Sequence, residues 1–216
     1  MGSNACFSKV KHLQKASDKQ DWRGMTKITA PQLAAPGAGL PAIELIIGRR
    51  LFALKRLLGS RESFTAKFEQ ERVAIRELVN SCATAKRAEH VLIPRLRGLE
   101  DSSRFWSVWM TLDHLRITNS VFSMVITSLA EGKVPGKRAS TADVKPDPTV
   151  TGKVEDAYEE SCDKLLAVVA EVSDLKTAVR YAHPWFGPLD ASGWHALTGM
   201  HMGIHRAQIT GILKHL

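Results

Sequence analysis

The last helix-forming segment of the chain carries two histidines one helical turn apart, His201 and His205. Residues i and i+4 share one face of a helix, so two imidazoles at this spacing can point at one shared ion. The pair belongs to the most apolar face of the segment, together with Trp194, Leu197, Thr198, Ile204, Gln208, Ile209 and Ile212. That face is expected to pack in the core, where an imidazole is costly unless both nitrogens find partners.

A third histidine, His114, lies in the middle of another predicted helix. Helical bundles build metal sites from side chains on facing helices, so His114 can lie opposite the pair. Three neutral imidazoles leave one position of a tetrahedral ion open to water or substrate, as in catalytic zinc sites. We therefore predict one divalent metal ion on His114, His201 and His205, with zinc or nickel favoured and cobalt or iron also compatible. The alternative is three histidines satisfied by ordinary hydrogen bonds.

Other polar and aromatic side chains are candidates for the surroundings of this site. Gln208 lies on the same inward face and is expected to fix an imidazole or orient a ligand, or else to make a structural hydrogen bond. Trp194 and Trp109 are expected to line a pocket or to pack in the core. Asp113 points about 100° away from its neighbouring histidine and is expected to face solvent, so no general base is assigned. Arg206 is expected to pair with a carboxylate at the bundle surface.

The remaining histidines fit a metal site less well. His195 lies one residue off the inward face of the last helix. We expect it to be solvated or locally hydrogen-bonded, and the same holds for His12, His90, His183 and His215.

Helical periodicity accounts for most of the chain after residue 40. Long helices are predicted at about 61–86, 103–129, 151–172 and from a cap at Ser192 to the end, with a shorter one at 40–58 that has a basic face. The Gly-, Pro- and Lys-rich composition of residues 132–150 predicts a surface crossover. No strand of useful length is seen. The pattern predicts an all-α, antiparallel four-helix bundle at about 60–216, within a domain of residues 40–216, preceded by a mobile basic arm at 1–39.

Composition narrows the classes of function. The formal net charge is +8, but the arm contributes half of it, with six basic residues against two acidic ones, and no groove-reading motif accompanies the charge. We therefore expect no nucleic-acid partner. Three cysteines far apart, Cys6, Cys82 and Cys162, fit a reducing cytoplasm better than a disulfide scaffold. No apolar run approaches the roughly 18–20 residues of a membrane span.

The two histidine-bearing segments resemble the DinB-like (YfiT-like) superfamily of four-helix metal-binding proteins. The matching stretches are Ser107-Val108-Trp109-Met110-Thr111-Leu112-Asp113-His114-Leu115 and His201-Met202-Gly203-Ile204-His205-Arg206-Ala207-Gln208-Ile209. Family members carry one His on the second helix and an H-x-x-x-H followed by Arg-x-Gln on the fourth. The stretch from Gly187 to Trp194 is also similar to the family's lead-in to the fourth helix. The resemblance covers about residues 60–216, and residues 1–58 depart from the family pattern.

The resemblance implies a bundle, often a homodimer, with a metal on the three histidines. Relatives include thiol-dependent S-transferases that use low-molecular-weight thiols, and proposed metal-dependent hydrolases. The first hypothesis is therefore a metal-dependent enzyme acting on a small molecule, and the substrate class includes such thiols. The second is a non-catalytic interaction or stress-response module whose metal is structural or absent, because a fold does not determine a reaction.

Overall fold

Five α-helices make up most of residues 31–216, the part of the chain that this computed structural model describes. They are α1 (Ala42–Leu58), α2 (Arg61–Ser81), α3 (Val108–Ala130), α4 (Val154–Glu171) and α5 (Ala191–Leu213). Helix α5 packs along α2 and α3, and α3 also packs along α4. Arg72 and Arg76 of α2 form ion pairs with Glu159 of α4 and so join the remaining two neighbours. The predicted all-α four-helix bundle with an additional N-terminal helix is confirmed.

Side-chain caps set where three of the helices begin. Ser60 and Ser107 accept hydrogen bonds from the backbone amides at the first turns of α2 and α3. Asp190 does the same for α5, so the helix begins at Ala191 and the predicted cap at Ser192 is wrong by two residues. Helix α2 ends at Ser81, earlier than predicted, and a separate 3-10 turn follows at Thr84–Lys86.

Two short antiparallel ribbons precede the helices that carry the histidines. Strand β1 (Val91–Leu92) pairs with β2 (Phe105–Trp106) before α3, and β3 (Tyr181–His183) pairs with β4 (Gly187–Leu189) before α5. The sequence shows no strand of useful length, and the strands present have only two or three residues. The helical assignment of residues 104–107 is wrong, because α3 begins at Val108. Strands of two or three residues are too short for the alternation of polar and apolar side chains that identifies a strand in a sequence.

Helices α2 and α5 approach closely at Gly199. A Cβ atom at this position would lie 3.0 Å from the backbone nitrogen of Phe68, which cannot move aside as a flexible side chain can. By contrast, a Cβ at Gly211 of the same helix would meet Ile93 side-chain atoms at 3.5 Å, an ordinary contact. The absence of a side chain at Gly199 therefore allows the close packing that brings α5 against α2.

Replacing Gly199 by alanine is expected to lower the free energy of unfolding by about 1–3 kcal/mol, because overpacking outweighs the gain in helix propensity. The matched variant Gly211→Ala is expected to be neutral or to gain up to about 1 kcal/mol, because alanine is the better helix former. Urea denaturation of both variants checks the prediction. Equal stability changes for the two would show that the close approach at Gly199 does not constrain the bundle.

Helix α1 turns its apolar side away from the bundle. Its inward side carries the buried Phe52, which packs on Phe186, and Arg56, which pairs with Asp190. Seven large aliphatic residues lie on the outer side and are 52–80% exposed, which we call the apolar strip: Ile43, Ile46, Ile47, Leu51, Leu54, Leu57 and Leu58. The predicted amphipathic helix is therefore present, with its apolar side facing outward.

Only the end of the predicted arm lies within the described residues. Its residues 1–30 lie outside them. In the remaining part, the backbone amides of Ala34 and Gly37 donate hydrogen bonds to Asp101 and Glu100. Among the described residues, no helix has both the length and the apolar character needed to cross a bilayer.

Candidate metal centre

Three imidazoles from two helices meet inside the bundle. His114 comes from the middle of α3, and His201 and His205 lie one turn apart on α5. One ring nitrogen from each can be chosen so that all three lie within 4.8 Å of one another, and the ring centroids are 4.5–5.0 Å apart. His114 and His205 are buried, and His201 is partly buried. The three residues that the sequence singles out are therefore brought together by the packing of α3 on α5.

Hydrogen bonds orient two of the three rings. Nδ1 of His114 lies 2.6 Å from the carbonyl oxygen of Val144, which can only accept, so this nitrogen carries the proton and Nε2 keeps a free lone pair. The amide nitrogen of Gln208 donates to the carbonyl of Ser103 at 2.7 Å, so its oxygen faces Nδ1 of His205, also at 2.7 Å. His205 is therefore in the same tautomer, with Nε2 free to bind a cation.

The third imidazole has weaker protein contacts. Nε2 of His201 lies 3.1 Å from Nε2 of His114, while its buried Nδ1 has no hydrogen-bond partner. Buried polar atoms nearly always have partners, so an orphaned nitrogen in such a cluster is unusual. A cation shared by the three Nε2 atoms would fit this donor set. Without a cation, an Nε2–H of His201 would donate to His114 and the Nδ1 atom would stay unpaired.

The surroundings of the cluster hold the imidazoles neutral. Burial lowers the pKa of His114 from about 6.5 to about 4, although its hydrogen bond to Val144 acts in the opposite direction. Burial also lowers the pKa of His201 and of His205 well below the ordinary value, and the neighbouring histidines add to this shift. Neutral imidazole is the form that binds a metal ion. The histidines are therefore in the metal-binding form at neutral pH.

A cavity of about 290 Å³ extends from the three histidines to the protein surface. Apolar side chains of α3, among them Val121, Phe122 and Val125, form one wall, and Trp194 of α5 and Trp185 after β3 contribute to another. The rim carries the exposed side chains of Lys137 and Arg138. The cluster therefore lies at the inner end of a largely apolar pocket that is large enough for a small molecule.

The stretch 132–150, predicted as a surface crossover, also covers the site. Besides the Val144 carbonyl, it provides the backbone amide of Asp147, which donates to Asp113 at 3.0 Å. Asp113 is 4% exposed and also pairs with Arg116, so the expectation that it faces solvent is wrong.

The same stretch provides Lys145, whose ammonium group pairs with the buried Glu100 at 2.9 Å. Burial acts to raise the pKa of the Glu100 carboxyl. The hydrogen bonds from Lys145 and Thr141 outweigh this effect, so the pKa is lowered overall.

Of the residues expected around the site, Gln208 and Trp194 lie there and Trp109 does not. Gln208 is fully buried and links His205 to Ser103, as described above. Trp194 lines the cavity and donates from its indole nitrogen to the carbonyl of Tyr181 at 3.2 Å. The indole of Trp109 instead donates to Glu155 of α4 at 2.7 Å, away from the cavity. Trp106, at the end of β2, is stacked on the ring of His205 and shields it.

Two further histidines that were expected to be solvated or locally bonded are less accessible than the sequence suggests. His183 lines the cavity, and its Nδ1 accepts from the amide of Trp185, so Nε2 carries the proton. His195 is 1% exposed, contacts Thr65 and packs against Phe64, because the first half of α5 is buried on nearly every side. Burial lowers the pKa of each to about 4. Arg206 pairs with a carboxylate, as predicted, but this carboxylate, that of Glu71, is buried and does not lie at the bundle surface.

The fold and the cluster define a four-helix-bundle protein with three histidines at the base of a pocket. The chain belongs to the DinB superfamily, whose sequence model matches residues 67–209. A solved structure described as that of TT2238, a four-helix bundle protein, is similar in fold, with a TM-score of 0.52 and 18% identity. The similarity covers 70% of this chain and 98% of that one. None of the curated proteins matches the chain.

Proposed function

We propose that His114, His201 and His205 hold one divalent metal ion and that the chain is a metal-dependent enzyme acting on a small molecule in the adjoining pocket. The observation that carries the proposal is the pair of fixed tautomers, because the Val144 carbonyl and Gln208 leave the lone pairs of His114 Nε2 and His205 Nε2 free. Nε2 of His114 lies 3.1 Å from Nε2 of His201, and one ring nitrogen of each histidine lies within 4.8 Å of the others. All three ligands are neutral nitrogen donors, a set that suits zinc and nickel.

A divalent ion with one open position would lower the pKa of a water or thiol bound there and so supply a nucleophile near neutral pH. The chain's own residues would bind and orient the substrate. The apolar wall of Val121, Phe122 and Val125 would exclude water from the reacting group. His183 lines the cavity, and its ring is neutral because of its lowered pKa and carries the proton on Nε2.

Within this class, the DinB resemblance supports transfer of a low-molecular-weight thiol or hydrolysis. In such a transfer the thiol loses its proton, its sulfur forms a bond to an electrophilic carbon, and the leaving group departs with the bonding electron pair. A second candidate is a purely structural histidine cluster, and one contact in the structure supports it. The 3.1 Å contact between His114 and His201 is also compatible with a direct hydrogen bond that needs no ion. A homodimer and a cytoplasmic location stay predictions.

The enzyme proposal is tested on protein loaded with zinc or with nickel, using cysteine or glutathione as the thiol and 1-chloro-2,4-dinitrobenzene as the electrophile. Thiol transfer above the uncatalysed rate is expected, and it should be lost on chelation and in His201→Ala. An ester substrate run in parallel measures hydrolysis. Activity that is unaffected by chelation and by His201→Ala would contradict a metal-dependent reaction. Tight metal binding without either activity would favour a purely structural role for the histidine cluster.

A further inference from the structure

The apolar strip of α1 is a large exposed apolar surface that the site does not use. Summed over its seven residues, the exposed area is on the order of 800 Å², which exceeds the largest apolar patch of a typical soluble monomer. At 100° per residue, the strip spans an arc of about 140° on the helix. Scattered apolar residues on a surface are ordinary, but seven large ones on one side of a helix along its whole length indicate a binding surface.

Contacts outside the apolar arc hold α1 on the bundle, and among the described residues the strip stays exposed. Phe52 and the ion pair between Arg56 and Asp190 anchor the helix near its middle and its end. Glu44 anchors its beginning through hydrogen bonds with Arg95 and the Gly98 amide. These contacts use the polar and aromatic residues of α1. The bundle therefore holds the helix with its apolar side facing outward.

Cationic side chains of α1 lie within the strip and at both of its edges. Arg50 lies within the apolar arc, between Ile46 and Leu54 along the helix, and is exposed. Arg49 flanks the arc on one edge and the half-buried Lys55 flanks it on the other. In the sequence, α1 is preceded by a segment with six basic and two acidic residues. A second copy of the chain would bring the same positive charges to the interface, whereas an anionic surface would complement them.

We propose that α1 binds to the surface of an anionic lipid bilayer, with the apolar strip inserted at the level of the headgroups and the flanking cations paired with lipid phosphates. Amphipathic helices that lie in the interface plane combine these two features, an apolar face and adjacent Lys or Arg residues. The helix lies on the membrane and does not cross it. The proposal is independent of the metal site, since no residue of the strip lines the cavity.

Co-sedimentation of the full chain with lipid vesicles tests the proposal. Binding is expected to vesicles containing phosphatidylglycerol and to be at least about ten-fold weaker for neutral phosphatidylcholine vesicles. The double variant Ile47→Ser/Leu54→Ser is expected to bind the anionic vesicles at least about ten-fold more weakly, because it removes apolar area from the centre of the strip. The control Val73→Ser, which changes a half-exposed apolar residue on α2, is expected to bind like the unchanged chain. Circular dichroism confirms that each variant folds.

Three results would overturn the proposal. The first is a lack of binding to anionic vesicles by the unchanged chain. The second is full binding by the Ile47→Ser/Leu54→Ser variant, which would assign the interaction to basic residues elsewhere. The third is a dimer, measured by light scattering, that dissociates in the double variant while vesicles have no effect. That result would identify a second copy of the chain as the partner of the strip.

Discussion

Replacing His205 by alanine is expected to lower the affinity of the protein for Zn²⁺ by more than about 100-fold, the upper end of the loss caused by removing an outer partner of a metal ligand. The substitution removes one of the three proposed ligands and also leaves the side-chain oxygen of Gln208 without its partner. Competition with a chromophoric chelator measures the affinity. The variant His205→Gln, which retains a side chain that can hydrogen-bond, is a second test in case the alanine variant is poorly folded.

His215→Ala provides the matched control, because this histidine is exposed and its ring Nδ1 bonds to the carbonyl of Gly211, away from the three-histidine cluster. Its zinc affinity is expected to equal that of the unchanged protein. Equal affinities for the His205 and His215 variants would remove the basis for the three-histidine site.

The metal-free protein is expected to lose stability as the pH falls from 6.5 towards 4. His114, His183 and His195 have pKa values of about 4 in the folded chain, whereas histidine in an unfolded chain titrates near 6.5. Between these values the unfolded chain binds more protons, so the stabilisation is complete above pH 6.5 and is lost as the pH falls through this window. Each pKa unit corresponds to about 1.4 kcal/mol, so the loss between pH 7.5 and 5.0 is expected to be at least about 2 kcal/mol.

Urea denaturation in the presence of a chelator at the two pH values measures this loss. The variant His195→Gln removes one of the buried groups outside the metal centre and is expected to show a weaker pH dependence. Equal free energies of unfolding at pH 7.5 and 5.0 would contradict the neutral, buried state of these histidines.

The position of His201 and His205 on the same face of one helix could be predicted, because it depends only on helical periodicity. Their position on an apolar face predicted that they point inward, and Gln208 on the same face was expected beside them. The proximity of His114 depends on how α3 is positioned against α5. The family resemblance supported this placement, which periodicity alone does not determine.

The residues that cover the site were harder to predict. The carbonyl of Val144 reaches His114 from a stretch whose Gly, Pro and Lys content indicates only an exposed loop. The burial of Asp113 depends on the Asp147 amide and Arg116, which a helical projection does not show. The burial of His195 does not follow from the sequence, because a single inward stripe describes a surface helix, whereas the first half of α5 is enclosed on nearly all sides. The outward direction of the α1 strip likewise depends on the ion pairs of its opposite side.

The most direct test of the three-histidine centre is the X-ray absorption spectrum of the zinc-loaded protein in a buffer free of thiols. We predict one zinc ion per chain, bound by three imidazole nitrogens at about 2.0–2.1 Å and by one further light atom. A zinc ion with fewer than two imidazole ligands, or with sulfur at about 2.3 Å, would contradict the assignment of the ion to His114, His201 and His205.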